Sequence, residues 1–380
     1  MFAGLLVSVI AIAIAFSAAQ SDDAKATGED GGATAYSSTA AAEPVAEDTE
    51  KLKADFKMKP YDPVTGPVEP EPKTFELTAT EKVIDVDGKP MKLWTFNNSV
   101  PGPVLRVVVG DKVTIKIKIA KDSKFLHSVD YHSSRLTLGG GHVKVKPGEE
   151  GTFEFTAEYP GVWMYHCATA PVLHHIGMGM YGMMIVQPKE GFGKRMPEYA
   201  LLQSELYGST EAIEAKQPAA MAFNGIPSQY AKAPIKVKAD SEARLFVLNA
   251  GPSEISSFHV VGTIFDRVFA DGNPRHVTWG RQALAMPASG GGVFEMKFVG
   301  EGQFPFVTHQ FNHAAMGAVG MILAGDGKPG PGLARCLAAM GPLANCQMAP
   351  VRPMYSGGGC PVSTAQQQSR SRRRRSEHRD

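Results

Sequence analysis

Residues 151–167, GTFEFTAEYPGVWMYHC, and residues 292–310, GVFEMKFVGEGQFPFVTHQ, are two versions of one segment, and they decide the reading of this chain. Each opens on a glycine turn, runs through a strand-like stretch containing Phe, crosses a second turn and carries a histidine as its last residue but one. The likeness extends outward on both sides. Upstream, Phe96-Asn97-Asn98, PGPVLRVVVGDKV (101–113) and the first His of LHSVDYH (126–132) correspond to Phe223-Asn224-Gly225, APIKVKADSEARLFV (233–247) and the His of SFHVVG (257–262). Downstream, MGMYGMMIV (178–186) corresponds to MGAVGMILA (316–324). Self-similarity on this scale predicts a duplicated unit. Short runs such as KVTIKIKI between Pro-Gly, Gly-Asp and Gly-Glu turns, without long helical periodicity, predict all-β sandwiches or barrels. The two β-domains are expected at 72–188 and 198–325.

A chain of 380 residues with 43% hydrophobic and 20% charged side chains can hold two packed domains and flexible ends. Its formal charge of +1 gives no overall field for nucleic acid or anionic membranes, so no nucleic-acid partner is expected. Residues 1–19 carry an apolar run from Leu5 to Phe16 and end on Ala18-Ala19, the pattern of a secretory signal peptide. Export to a periplasmic or other extracytoplasmic compartment follows. No Lys or Arg precedes the apolar run, so an uncleaved N-terminal membrane anchor is the alternative. Residues 20–71, rich in Ala, Asp, Glu, Thr and Pro, read as a disordered linker. Residues 326–380 form a polar, basic tail in which Arg370 to Arg375 reads as a solvated end. Cys336, Cys346 and Cys360 fall in that tail; a disulfide with one leftover thiol, an intermolecular link and a plain disordered end all remain open.

The repeat acts as an internal control. In this alignment His127 matches His259, His166 matches His309, Cys167 matches Gln310, His175 matches His313 and Met180 matches Ala318. The first copy has a thiol and a thioether where the second has neither, so it holds a soft metal site that the second has lost. Two imidazoles, one thiolate and a weak axial Met suit copper cycling between two oxidation states, and His127, Cys167, His175 and Met180 supply that set. Cys167 lies eight residues before His175 and thirteen before Met180, which fits one loop folding around a metal. Met178, Met183 and Met184 read instead as core filler. His174 competes with His175, but the five-residue step to Met180, repeated from His313 to Ala318, favours His175.

Three more imidazoles go beyond what an electron carrier needs. His132 stands five residues after His127, and His166 stands beside Cys167, so strand alternation turns both away from the first set and toward a second metal. His309, matched with His166, is the candidate third ligand. It would come from another subunit of a closed ring, with three subunits the natural number. His313 reads as a relic or packing residue, and His142 and His276 as solvated.

HSVDYH, followed by LGGG and KPGE, then YHCATAPVLHHIGMGMYG, SFHVVG and FVTHQ, resembles the copper-containing nitrite reductases, in particular those with the short loop HCATAPV. The resemblance covers roughly residues 72 to 325. It implies two tandem cupredoxin-like Greek-key β-barrels assembled as a homotrimer, and the one-electron reduction of nitrite to nitric oxide and water. It implies one type 1 copper per subunit on His127, Cys167, His175 and Met180. It implies one type 2 copper on His132, His166 and a neighbour's His309, with the electron passing through Cys167-His166. Asp130 matches the family's active-site aspartate and His259 its active-site histidine, both suited to proton delivery. Val261 stands where the family carries a bulky isoleucine over the open copper position. The electron donor would be a small cupredoxin or a c-type cytochrome. Two rival readings stay open: a two-domain multicopper oxidase, for which the His-x-His pairs and HCH triad are missing, and a non-enzymatic cupredoxin carrier, which leaves five of these residues without purpose.

Overall fold

The computed structural model describes residues 50–51, 61–63, 66–135 and 144–326. The signal segment, most of the linker, His142 and the tail with Cys336, Cys346 and Cys360 lie outside the described residues. The described chain is built of β-strands with four short helices, as the turn spacing predicts.

In the first copy the long strand Lys73–Val86 pairs antiparallel with Lys89–Phe96 and parallel with Lys112–Ile119, which in turn pairs with Glu150–Thr156. A second sheet runs in the order Leu105–Val108, Tyr181–Gln187, Gly161–His166, Asp130–Tyr131. Alternation explains how the sheets close on each other. In KVTIKIKI, Val113, Ile115, Ile117 and Ile119 all point inward while the lysines between them face out. Those residues form one apolar cluster with Leu105, Val107, Tyr165 and Met184 of the second sheet, so the core is the space between the two.

The second copy repeats this plan. Glu198–Leu206 pairs antiparallel with Ala220–Phe223 and parallel with Glu242–Gly251, followed by Gly291–Lys297, Phe265–Ala270 and Val277–Arg281. Its other sheet runs Ile235–Val237, Val319–Ala324, Gly302–Thr308, Ser256–Val260, Ala283–Met286. The two copies share their turn chemistry as well. Asn97 and Asn224 both hold left-handed backbone (φ 57° and 55°), and each side chain bridges the strand beside it, Asn97 to Thr78 and Glu76, Asn224 to Leu202 and Ala200. Gly182 and Gly320 are glycine because the ring of the residue opposite, Tyr165 or Phe306, lies 2.2 or 2.1 Å from where a Cβ would stand. Another apolar cluster joins the copies, with Val162, Met183 and Ile185 packed on Leu202, Phe246, Leu248 and Val293. Beside it, buried Arg244 bonds both Glu198 (2.5 Å) and Glu295 (2.8 Å); Arg106 of the first copy also bonds Glu198, at 2.6 Å, and Arg267 also bonds Glu295.

Strand register corrects the alignment of the copies. Tyr165 faces Gly182 and Phe306 faces Gly320, which makes Tyr165 equivalent to Phe306. His166 is therefore equivalent to Val307, not His309, and Cys167 to Thr308, not Gln310. On the preceding strand Asp130 faces His166 and His259 faces Val307, so His259 corresponds to Asp130 and Ser256 to His127. Hydrogen bonds agree: the Ser128 N–H donates to Cys167 Sγ as the Ser257 N–H does to Thr308 Oγ1. His175 with His313, and Met180 with Ala318, stand as aligned, since the Met180 N–H donates to His175 O and the Ala318 N–H to His313 O, both at 3.1 Å. Matching histidine to the nearest histidine slips the strand of His166 by two residues, whereas the backbone matches a thiol to a hydroxyl. The loss of soft ligands from the second copy remains, now as Cys to Thr, Met to Ala and His to Ser.

Candidate metal centres

The strand Gly161–His166 ends where the first donor cluster begins. Cys167 Sγ lies 3.2 Å from His175 Nδ1 and 3.7 Å from His127 Nδ1, and all three residues are buried. Backbone bonds fix the loop that returns the second imidazole: the Cys167 N–H donates to Met180 O (3.0 Å) and the Met180 N–H to His175 O (3.1 Å). Met180 is fully buried in the same core cluster as Cys167. Between them the short helix Val172–Gly177 turns His175 inward, while His174 faces out and meets Glu214 at 3.0 Å. Burial works against ionisation of the Cys167 thiol, yet hydrogen bonds and positive charge from His127 and His175 pull its pKa down to about 5. The sulfur is thus a thiolate at neutral pH, the form that binds soft metals. Trp94 closes the site, its ring edge-on to His175 at 4.7 Å and 4.4 Å from Phe125. Met183 and Met184 are core residues, and Met178 packs with Tyr207 and Ile213.

The second cluster sits on the other side of the same peptide. His132 Nε2 and His166 Nε2 are 3.1 Å apart, with Asp130 Oδ2 at 3.9 and 3.8 Å. His166 Nδ1 is 3.0 Å from the Cys167 carbonyl, which can only accept, so Nδ1 carries the proton and the Nε2 lone pair points into the cluster. Burial, and then the neighbouring His166, hold the His132 pKa below its usual value, against the pull of Asp130. A neutral imidazole is the form a metal needs. These residues do not lie on one regular strand: only Asp130–Tyr131 is paired as strand, and His127 joins Val145 through an isolated bridge. The separation of His127 from His132 is nevertheless complete, since each belongs to a different donor cluster.

Within one protomer the second cluster contains Asp130, His132 and His166, and neither His259 nor His309. Those two face each other on the second copy, ring centroids 5.6 Å apart, with Phe311 4.8 Å from His309. His259 Nδ1 approaches the Gln282 carbonyl at 2.5 Å; the carbonyl can only accept, so Nδ1 is the donor there. Val261 is 43% exposed two residues along. His313 is buried with Nδ1 lacking a hydrogen-bond partner, and His276 is exposed.

Residues 78–191 match the multicopper oxidase family model. Copper-containing nitrite reductase of Neisseria gonorrhoeae is 35% identical over 261 residues, covering 64% of this chain and 66% of that protein. The same-named protein of Neisseria meningitidis serogroup A is 35% identical over 64% of this chain and 67% of its own length. The solved copper nitrite reductase of Nitrosomonas europaea superposes with a TM-score of 0.65 at 34% identity, over 67% of this chain and 94% of that one. The chain belongs to the copper-containing nitrite reductases. Its fold is accordingly the cupredoxin-like β-barrel, present twice. The chain spans just under two thirds of the gonococcal nitrite reductase. Both donor sets fit the metal of the family name: a buried nitrogen and thiolate set for a redox copper, and a half-buried set of two imidazoles with an acid beside it. Sequence reasoning missed three residues here, Glu81, Ser123 and Trp94. Glu81 had a readable signal, since it follows Leu77 and Ala79 at strand spacing on their buried face.

Proposed function

We propose that this protein reduces nitrite to nitric oxide and water, consuming one electron and two protons per turnover. The observation that carries the reading is the adjacency of His166 and Cys167, neighbours in the chain whose side chains belong to separate donor clusters. In this reading His127, Cys167, His175 and Met180 hold a type 1 copper, and His132 and His166 hold a type 2 copper with His309 from a neighbouring copy. When bound, the coppers supply one-electron transfer and a Lewis-acidic position for nitrite.

The remaining roles belong to the chain. The Cys167-His166 peptide is the covalent link between the two sets. Asp130 and His259 deliver the two protons, Asp130 from within the cluster and His259 through Nε2 from the neighbouring copy's surface. Val261 leaves room above the substrate where a larger side chain would crowd it. The site completes itself only between copies, which supports a homotrimer, with barrels at 72–188 and 198–325. Export, a cleaved signal peptide at 1–19 and a cupredoxin or c-type cytochrome donor belong to the same reading.

The test is nitric oxide yield from nitrite with a reduced artificial donor, for the native protein and for His132→Ala. The native protein should turn over, and the variant should lose turnover while keeping its coloured copper. Oxygen consumption without nitrite turnover would favour the oxidase reading, and loss of both coppers in His132→Ala would overturn the separation of the ligand sets.

A further inference from the structure

Cys167 occupies one nitrogen of His127; the other nitrogen has a partner that the catalytic reading leaves unused. His127 Nε2 lies 3.2 Å from Glu81 Oε1, and the Ser123 hydroxyl stands 3.4 Å from the same nitrogen. Glu81 is itself held. Ser123 donates its hydroxyl to Glu81 Oε1, and the Lys124 N–H donates to both carboxylate oxygens at 3.1 and 3.3 Å. Only 15% of the Glu81 side chain is exposed, and His127 is fully buried. A carboxylate so placed at the edge of an apolar core is costly unless its lone pairs are met, and here every contact points it at the imidazole.

The register shows how the fold delivers this contact. Glu81 stands directly opposite Trp94 in the antiparallel pair of Lys73–Val86 with Lys89–Phe96. Directly opposed residues project on the same face of a sheet. One cross-strand pair thus reaches both imidazoles of the first cluster: Glu81 meets His127, and Trp94 meets His175.

We infer that Glu81, clamped by Ser123 and the Lys124 amide, is a positioning residue that fixes the His127 Nε2 proton and sets the reduction potential of the metal bound through Nδ1. The inference rests on the reading of His127 as a copper ligand. A carboxylate accepting the Nε2 proton fixes the ring's tautomer and tilt and makes Nδ1 a stronger donor. Its negative charge favours the oxidised, more positive metal, so Glu81 lowers the potential and its neutralisation raises it.

The experiment is a spectroelectrochemical titration of the coloured centre in the copper-loaded full chain, native and Glu81→Gln. Pulsed EPR of the remote imidazole nitrogen is recorded on both. Glu81→Gln should keep the coloured absorption, shift the potential upward by roughly a tenfold change in the redox equilibrium, about 59 mV for a one-electron couple, and alter the remote-nitrogen coupling. Glu81→Asp should recover part of the shift. An unmoved potential with unmoved coupling overturns the inference. Should Glu81→Gln fail to load copper, Ser123→Ala carries the test: a smaller upward shift supports the clamp, and no shift overturns it. A native protein without a coloured centre would instead sink the ligand reading, so the two failures are distinguishable.

Discussion

Replacing Asp130 with Asn separates two roles that the geometry of the second cluster allows. The carboxylate lies 3.8 and 3.9 Å from the two imidazole nitrogens, close enough to serve as a third ligand or as a proton carrier beside them. A positioned general acid contributes about 10²–10⁴ in rate. With 33% of its side chain exposed, Asp130 belongs near the lower figure, about 2.7 kcal/mol at about 1.36 kcal/mol per decade. Asp130→Asn should therefore lower kcat about a hundredfold, with both coppers and the coloured absorption retained, because Asn keeps the shape but cannot give up a proton. The assay is nitric oxide release under a reduced artificial donor, with metal content measured on the same sample. Full turnover would refute the proton role, and loss of the second copper would make Asp130 a ligand.

Three further outcomes follow from geometry already described. Cys167→Ser should abolish the coloured absorption and donor-coupled turnover while leaving the second copper in place, as metal analysis and EPR would register. Gly182→Ala puts a methyl group 2.2 Å from the Tyr165 ring, and the overpacking should cost about 1–3 kcal/mol, read as a lowered calorimetric Tm; an unchanged Tm would mean the sheet yields there. Arg244→Met removes a buried cation from between Glu198 and Glu295. Arg106 and Arg267 still partner those carboxylates, so the loss should sit near the low end of the range for a broken buried pair, about 3 kcal/mol. At about 2–4 °C per kcal/mol, thermal unfolding should drop by roughly 6–12 °C.

Much of this architecture can be read from local pattern. KVTIKIKI announces which face is buried, and the paired segments around 151–167 and 292–310 announce the duplication, because strand alternation and turn chemistry are properties of neighbouring residues. Exact equivalence between the copies cannot be read that way. His259 attracts a match to His127, yet hydrogen-bond register pairs it with Asp130, and only the sheet knows the register. The consequence is chemical: the two residues proposed to carry protons stand at one and the same position of the duplicated strand. The donors of the first cluster were legible because their types are rare and their spacing follows one loop. Trp94 was not, since an indole in a strand carries no motif, and the spacing of Glu81 after Leu77 and Ala79 turns the acid inward without saying what it meets; both acquire meaning only from pairing across to each other. His309 is a different case, for a residue proposed to complete a site in another copy leaves no trace of that role within a single protomer.

The hydroxyl of Thr308 receives the Ser257 amide just as sulfur receives the Ser128 amide in the other half. One barrel therefore closes the same turn with nothing but oxygen, which means the architecture does not depend on an ion to knit itself together. The half freed from that duty is the one that carries His259 and His309, the two residues proposed to serve a neighbouring copy.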